Sequence, residues 1–341
     1  MEAYTELRQH RVDLKKAIPL PKPFTLLFDP ASICNFRCVQ CFRSVEGVEK
    51  WIPAGLMDFE KFKAVIDGLK AWEGPKIKVI RVIGFGEPFV NPCTPDMVRY
   101  IKNAQVADRV EITTNGSLIT EAIAEQLVDT GLDYIRISIY SVIQERHEYI
   151  TGNKMDIRRI YENVRALREI RDRRGAEKPF IYVKMLDSSQ AEENQAFLKL
   201  YQEIADEAAI EHPHNWLDME DKSFISDLYG GACAAGQDPT AAKTVCPQPF
   251  KMLSIRQNGD VVVCDPDWMG NTTIGNAFQT SLKDLWHSQA LMDFWKMQIE
   301  GRRFQNESCR RCTTFLSDAY TVDNIDGITV EQLEGFSESE H

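Results

Sequence analysis

The sequence predicts an α/β fold, a parallel sheet with helices packed outside it, followed by a small cysteine-bearing domain. Two observations carry this. From Phe24 to His212, short apolar runs alternate with amphipathic helical patterns, and β/α units in series imply a parallel sheet with outer helices. Beyond a glycine-rich stretch, cysteines return in a second, separate pattern from Cys246 to Cys312.

The elements follow in order. Residues 1–23 are a polar, then proline-rich lead-in. Strands are expected at Phe24–Asp29, Ile77–Ile83, Val110–Thr114, Tyr134–Ile139, Phe180–Leu186 and Ala208–His212, short apolar runs bounded by turn residues. Helices are expected at Asp58–Trp72, Pro95–Ala104, Glu121–Asp129, Ile157–Asp172 and Ala191–Ala205, where apolar residues recur at helical spacing. This defines a first domain over 24–216. A linker over 217–245 contains Gly230-Gly231-Ala232-Cys233-Ala234-Ala235-Gly236, and a cysteine domain over 246–320 and a tail over 321–341 follow. Within the cysteine domain, Ser254–Cys264 reads as a β-hairpin turning at Asn258-Gly259. A single helix is expected from Ser281 to Ile299. In a parallel β/α sheet, functional residues gather at the carboxyl ends of the strands.

Composition excludes several classes. The net charge of −11 argues against a nucleic-acid surface, because phosphate contacts need clustered Lys and Arg. The basic run Arg171-Asp172-Arg173-Arg174 closes a helix and suits a solvated helix C-terminus. No membrane-spanning stretch or secretory signal is visible. Nine cysteines without an export signal point to a reducing compartment, the cytoplasm, and so to metal or catalysis in place of disulfides.

The densest chemical signal is Cys34-Asn35-Phe36-Arg37-Cys38-Val39-Gln40-Cys41, a C-x3-C-x2-C spacing just after the first strand. A loop can wrap three thiolates around one object. A [4Fe–4S] cluster normally takes four cysteines, so three leave one iron open, and open metal positions are where chemistry occurs. A zinc site with its fourth ligand elsewhere is the alternative. Cys246, Cys264 and Cys309-x2-Cys312 form the second set. By spacing alone, these four thiolates suit a closed [4Fe–4S] cluster or a four-cysteine zinc ribbon equally.

The first motif resembles that of the radical S-adenosylmethionine (SAM) superfamily. The resemblance implies a partial (β/α)6 barrel, a [4Fe–4S] cluster on Cys34, Cys38 and Cys41, and SAM chelating the open iron to yield a 5′-deoxyadenosyl radical. The residue before the last cysteine is usually aromatic in that family. Here it is Gln40, with Phe42 just beyond Cys41 as the remaining aromatic near the cofactor. Gly84-Phe85-Gly86-Glu87-Pro88 after the second strand resembles the family's Gly-Gly-Glu-Pro bend, which implies SAM contacts from Gly84, Gly86, Glu87 and Pro88. Thr114, Asn115 and Ser138, at the next strand ends, lie where relatives contact SAM or substrate; turn chemistry or a plain buried serine also explains them.

The second set, opening as C-x12-G-x4-C, resembles the SPASM domain in its shortened, four-cysteine twitch form. Ile274-Gly275-Asn276 and Trp286 resemble the linker pattern of that group. This implies a second [4Fe–4S] cluster. The set is most similar to the type of member that oxidises 2-deoxy-scyllo-inosamine. The expected function is therefore oxidation of a sugar- or cyclitol-like substrate to a ketone, with a flavodoxin or ferredoxin as electron donor. Only 33 residues precede Cys34, which leaves no room for the leader-binding segment of many peptide-modifying relatives, and a peptide substrate is the lesser expectation. Asp265, directly after Cys264, corresponds to a proposed base in related maturases, although Asp265-Pro266-Asp267 also reads as a turn. An epimerase would need a hydrogen donor, for which Cys233 is the candidate; Cys93, before a helix, reads as structural. Lys184, in an apolar strand, is expected to point toward the site or a carboxylate. His212 and His214 are expected at the barrel rim.

Overall fold

The computed structural model describes residues 3, 6, 12–212, 243–310, 312 and 323–334. Strands β1 (Thr25–Phe28), β2 (Ile77–Val82), β3 (Ala107–Thr114), β4 (Tyr134–Ile139), β5 (Phe180–Leu186) and β6 (Glu207–Glu211) pair in sequence order, all parallel. Helices α1 (Phe59–Ala71), α2 (Thr94–Ala104), α3 (Glu121–Thr130), α4 (Gln144–Thr151), α5 (Arg158–Arg173) and α6 (Ala191–Tyr201) cross between them. The sheet is open, as expected for a partial barrel.

Local chemistry explains the boundaries. The Asp58 carboxylate caps α1 by accepting from the Lys61 N–H at 2.9 Å. The helix then buries Phe62, Val65, Ile66 and Leu69 along one stripe. Phe62 meets Phe28 edge-on, ring centroids 5.2 Å apart, so Leu26 and Phe28 look outward to the helices. The alternate positions look into the concave face. There the register aligns Leu27 with Arg81, Arg81 with Glu111, Glu111 with Tyr134, Arg136 with Tyr182, and Ser138 with Lys184.

The second cysteine region adds β7 (Met252–Ile255), β8 (Asp260–Val262) and β9 (Thr273–Asn276), then α7 (Leu282–Trp286) and α8 (Gln289–Ile299). The hairpin turning at Asn258-Gly259 is present, and β9 extends it antiparallel. Strand β7 also pairs parallel with β1, Phe28 opposite Ile255, giving one nine-stranded sheet ordered β6-β5-β4-β3-β2-β1-β7-β8-β9 among the described residues. Every residue of β7 is buried, the pattern of an interior parallel strand. The helix expected over Ser281–Ile299 is two helices, because Ser288 leaves helical geometry and its hydroxyl caps α8 through the Leu291 N–H at 3.2 Å. Trp286 and Trp295 anchor the pair, their indole N–H groups donating to Leu20 O and Pro249 O at 2.8 Å.

Among the described residues, no helix is long and apolar enough to cross a membrane.

Candidate active site

The Cys34–Cys41 loop leaves the carboxyl end of β1 and is held by the C-terminus of α4. The last carbonyls of a helix lack intrahelical partners. Here Thr151 O accepts from the Arg37 N–H and Ile150 O from the Val39 N–H, both at 2.8 Å. The Asn153 side chain donates to Asn35 O at 3.0 Å. Phe36, between the first two cysteines, packs edge-on against His147 of α4 and Tyr140. The three thiols stand close enough to interact electrostatically, and burial raises the pKa of each, that of Cys41 to about 11. A bound cation reverses that preference and holds thiolates.

The Gly84–Pro88 bend is clasped onto this loop. A Cβ on Gly84 would stand 1.9 Å from an Asp29 carboxylate oxygen, and one on Gly86 would stand 2.2 Å from Ala31 O and Ile33 O. Only glycine permits this approach. The Glu87 N–H donates to Ile33 O at 3.0 Å. Its buried carboxylate accepts from the Thr114 hydroxyl at 2.5 Å and the Asn115 N–H at 2.8 Å. Burial pushes the Glu87 pKa up to about 7 against those two donors. Asn115 also donates to the Asn35 side chain at 3.0 Å. Thr114 and Asn115 thus brace the bend and the cysteine loop against each other. Ser138 lies on the concave face beside Lys184. Phe42 packs edge-on against Phe85 and stacks on Trp268.

The second set also converges. Cys264 follows β8, Cys309 sits on a short helix (Glu307–Arg310), and Arg303 donates to the backbone carbonyls of Cys309 at 2.8 Å and Cys312 at 3.0 Å. Burial raises the Cys264 thiol pKa well above its usual value, and Cys246, Cys312 and Cys309 add to the shift. Among the described residues, no three His, Cys, Asp or Glu side chains close on a single metal-ion position.

The expected turn at Asp265-Pro266-Asp267 divides its work. Asp267 is the turn residue, accepting from the N–H groups of Gly270 at 3.0 Å and Thr272 at 2.7 Å and from the Ser308 hydroxyl at 2.6 Å. Asp265 instead interacts with Arg81 and Arg136; burial raises its carboxyl pKa and the two guanidiniums oppose that. Lys184 pairs with Glu211 at 2.7 Å, and the Tyr182 hydroxyl donates to the same carboxylate at 2.8 Å. Glu111 accepts from Arg81 at 3.0 Å and Arg109 at 2.7 Å. Of the remaining candidates, His212 is exposed after β6, and Cys93 precedes α2 with its N–H donating to Asn91 Oδ1 at 3.0 Å. Cys233 and His214 lie outside the described residues.

Sequence reasoning passed over Arg81, Arg136 and Asp29. The first two are charged residues inside apolar runs, the same signal that singled out Lys184. Asp29 stands at the end of β1 with its pKa pushed up to about 7 by burial, the N–H groups of Phe85 and Ala31 and the charges of Arg256 and Arg43 opposing.

Comparison with known proteins agrees with both cysteine sets. A radical SAM superfamily profile matches residues 29–176, and an iron–sulfur cluster-binding SPASM profile matches residues 246–313. The chain carries a radical SAM domain and a SPASM domain. These domains imply [4Fe–4S] clusters and SAM. The residues fit those groups: each set gathers free thiols that are half-buried or, for Cys38, buried, and Gln40 Oε1, beside Cys41, is a buried acceptor without a hydrogen-bond partner among the described residues.

One curated relative is the tungsten-containing aldehyde ferredoxin oxidoreductase cofactor-modifying protein of Pyrococcus furiosus. It is 30% identical over 47% of this chain and 43% of its own length. The chain thus spans less than half the length of that relative. Among solved structures, BtrN in complex with AdoMet and 2-DOIA has a TM-score of 0.53 at 20% identity, covering 85% of this chain and 92% of BtrN. Streptococcus suis SuiB bound to precursor peptide SuiA has a TM-score of 0.61 at 16% identity, covering 96% of this chain and 76% of SuiB. These likenesses are of fold.

Proposed function

We propose that this protein is a radical SAM oxidoreductase that oxidises a hydroxyl-bearing carbon of a small polyhydroxylated molecule, of the sugar or cyclitol class, to a ketone. The observation that supports this is Asp265. It joins the SPASM cysteines, through its neighbour Cys264, to a concave barrel face lined by Arg81, Glu111, Arg136, Tyr182, Lys184 and Glu211. A face of charged and hydrogen-bonding groups suits a substrate with many hydroxyls.

When bound, SAM and the cluster on Cys34, Cys38 and Cys41 supply a 5′-deoxyadenosyl radical, and a second cluster on Cys246, Cys264, Cys309 and Cys312 supplies an electron acceptor. Gly84, Gly86, Glu87 and Pro88, together with Thr114, Asn115, Ser138 and Phe42, would hold SAM. Turning a carbinol into a ketone removes a hydrogen atom from carbon, a proton from oxygen and one electron. Asp265 takes the proton, with the charges of Arg81 and Arg136 favouring the carboxylate form that accepts it. Lys184, fixed by Glu211, orients a substrate hydroxyl. A flavodoxin or ferredoxin reduces the first site.

The test is anaerobic turnover of reconstituted protein with polyol and aminocyclitol candidates in deuterated solvent. Oxidation gives a product lighter by two hydrogens, formed equally well by the Cys233→Ala variant. An unoxidised, inverted product carrying solvent deuterium, lost in that variant, replaces the dehydrogenase with an epimerase. A peptide substrate is the second reading, in line with the coverage shared with SuiB, which was solved with its precursor peptide.

A further inference from the structure

Arg256 lies one residue beyond β7 and is 6% exposed. The β1–β7 register sets it beside Asp29, whose charge it feels. Its guanidinium donates to Asp267 O at 2.5 Å and Trp268 O at 3.1 Å, and to Trp51 O at 3.4 Å. It also stands 4.9 Å from the centroid of the Phe85 ring. Around it, Trp268 stacks on Phe42 at 6.3 Å and meets Trp51 edge-on at 5.4 Å, while Phe42 meets Phe85 edge-on at 5.0 Å. One buried cation therefore touches the loop after Cys264, the segment after Cys41 and the Gly84–Pro88 bend, and its charge reaches Asp29 at the end of β1.

We propose that Arg256 is a positioning residue that couples the SPASM cysteine loop to the SAM-binding bend, so that SAM binding and the state of the second cluster are linked. This rests on the reading of Gly84–Pro88 as the SAM bend. Phe85 sits within that bend, so any displacement of the bend on docking SAM moves the ring against the guanidinium. The same guanidinium fixes the carbonyls of Asp267 and Trp268, just past Cys264. A coupling of this kind is reciprocal: whatever SAM does to the second cluster's environment, that environment does to SAM affinity. Arginine is needed because a planar fork reaches several carbonyls while its face covers an aromatic ring.

The test uses the full chain, reconstituted anaerobically, with iron content, equilibrium dialysis against labelled SAM, and the electron paramagnetic resonance of the second cluster with and without SAM. In the unmodified protein SAM shifts that signal. Arg256→Met keeps its iron, binds SAM about tenfold more weakly and loses the shift. Arg256→Lys, which keeps the charge over Phe85 but not the fork, restores part of both. Wild-type affinity with an unchanged shift in Arg256→Met overturns the proposal. Should that variant lose iron, Phe85→Leu removes the ring from under the guanidinium without touching the cysteine loops, and an intact shift there overturns it equally. An unmodified protein that holds both clusters yet binds no SAM refutes the underlying reading of the bend, and the coupling with it.

Discussion

Asp265 and Asp267 stand two positions apart in one turn, and their surroundings separate them completely. Asp267 is saturated by backbone N–H groups and two hydroxyls, so its replacement unfolds the turn. Asp265 faces arginines from β2 and β4, so its replacement leaves the turn and removes a proton acceptor. Asp265→Asn should lower ketone formation roughly 100-fold or more, the usual size of a lost general base. Release of 5′-deoxyadenosine from SAM without substrate should continue near the unmodified rate. Product analysis beside deoxyadenosine release checks this; equal loss of both would make Asp265 structural. The candidacy of Asp265 was legible from its adjacency to Cys264. Its partners were not, because only the register of a folded sheet brings Arg81 and Arg136 to the same place.

At the scale of elements, the support of the cysteine loop by α4 is the feature that sequence did not reveal. Gln144–Thr151 is short and mostly polar, with no stripe long enough to announce a helix, yet its last carbonyls hold the loop backbone. His147 on its buried side is fully enclosed against Phe36, and burial lowers its pKa, with Glu148 opposing. The neutral ring is therefore the folded form, whereas the unfolded chain takes up a proton near pH 6.5. The unfolded state binds more protons below that pH, so stability is present above it and is lost as pH falls. Asp29 and Glu87, their pKa values raised to about 7, act in the opposite sense over the same window, so the His147 contribution is read by difference. Between about pH 7.5 and about pH 5, His147→Phe should lose distinctly less thermal stability, or gain more, than the unmodified metal-free protein. Melting curves of both proteins at the two pH values decide it; equal changes would remove His147 as a source. The longer elements were legible because periodicity and burial agree. Tyr134–Ile139 and Phe180–Leu186 fall where their apolar runs predict. The split between α7 and α8 was hidden because Ser288 interrupts a pattern whose apolar spacing continues across it.

For the whole molecule, the decisive quantity is iron. Anaerobic reconstitution should load about eight irons per chain, two [4Fe–4S] clusters, and no stoichiometric zinc. Changing Cys34, Cys38 and Cys41 together to Ala should leave about half of that iron and abolish SAM cleavage. Elemental analysis of both proteins checks it, and about four irons with zinc making up the difference in the unmodified chain would assign the second set to zinc. The sequence placed both cysteine sets and the β/α order, since these are local patterns. It did not place the hairpin on β1, because which neighbour a buried strand chooses depends on surfaces assembled from distant segments.

That choice of neighbour makes the second cysteine region a guard for the first. Without β7, the backbone of β1 from Thr25 to Phe28 would present an open row of N–H and C=O groups, flanked by the apolar Leu26, Leu27 and Phe28. A bare hydrophobic edge recruits other chains. A fragment ending at residue 242 should therefore self-associate even with its three cysteines and its SAM bend intact. Light scattering of that fragment against the full chain would show it, and a monodisperse monomeric fragment would contradict it. The two cysteine regions would then have to be inherited, exchanged and engineered together, since neither leaves the other with a finished surface.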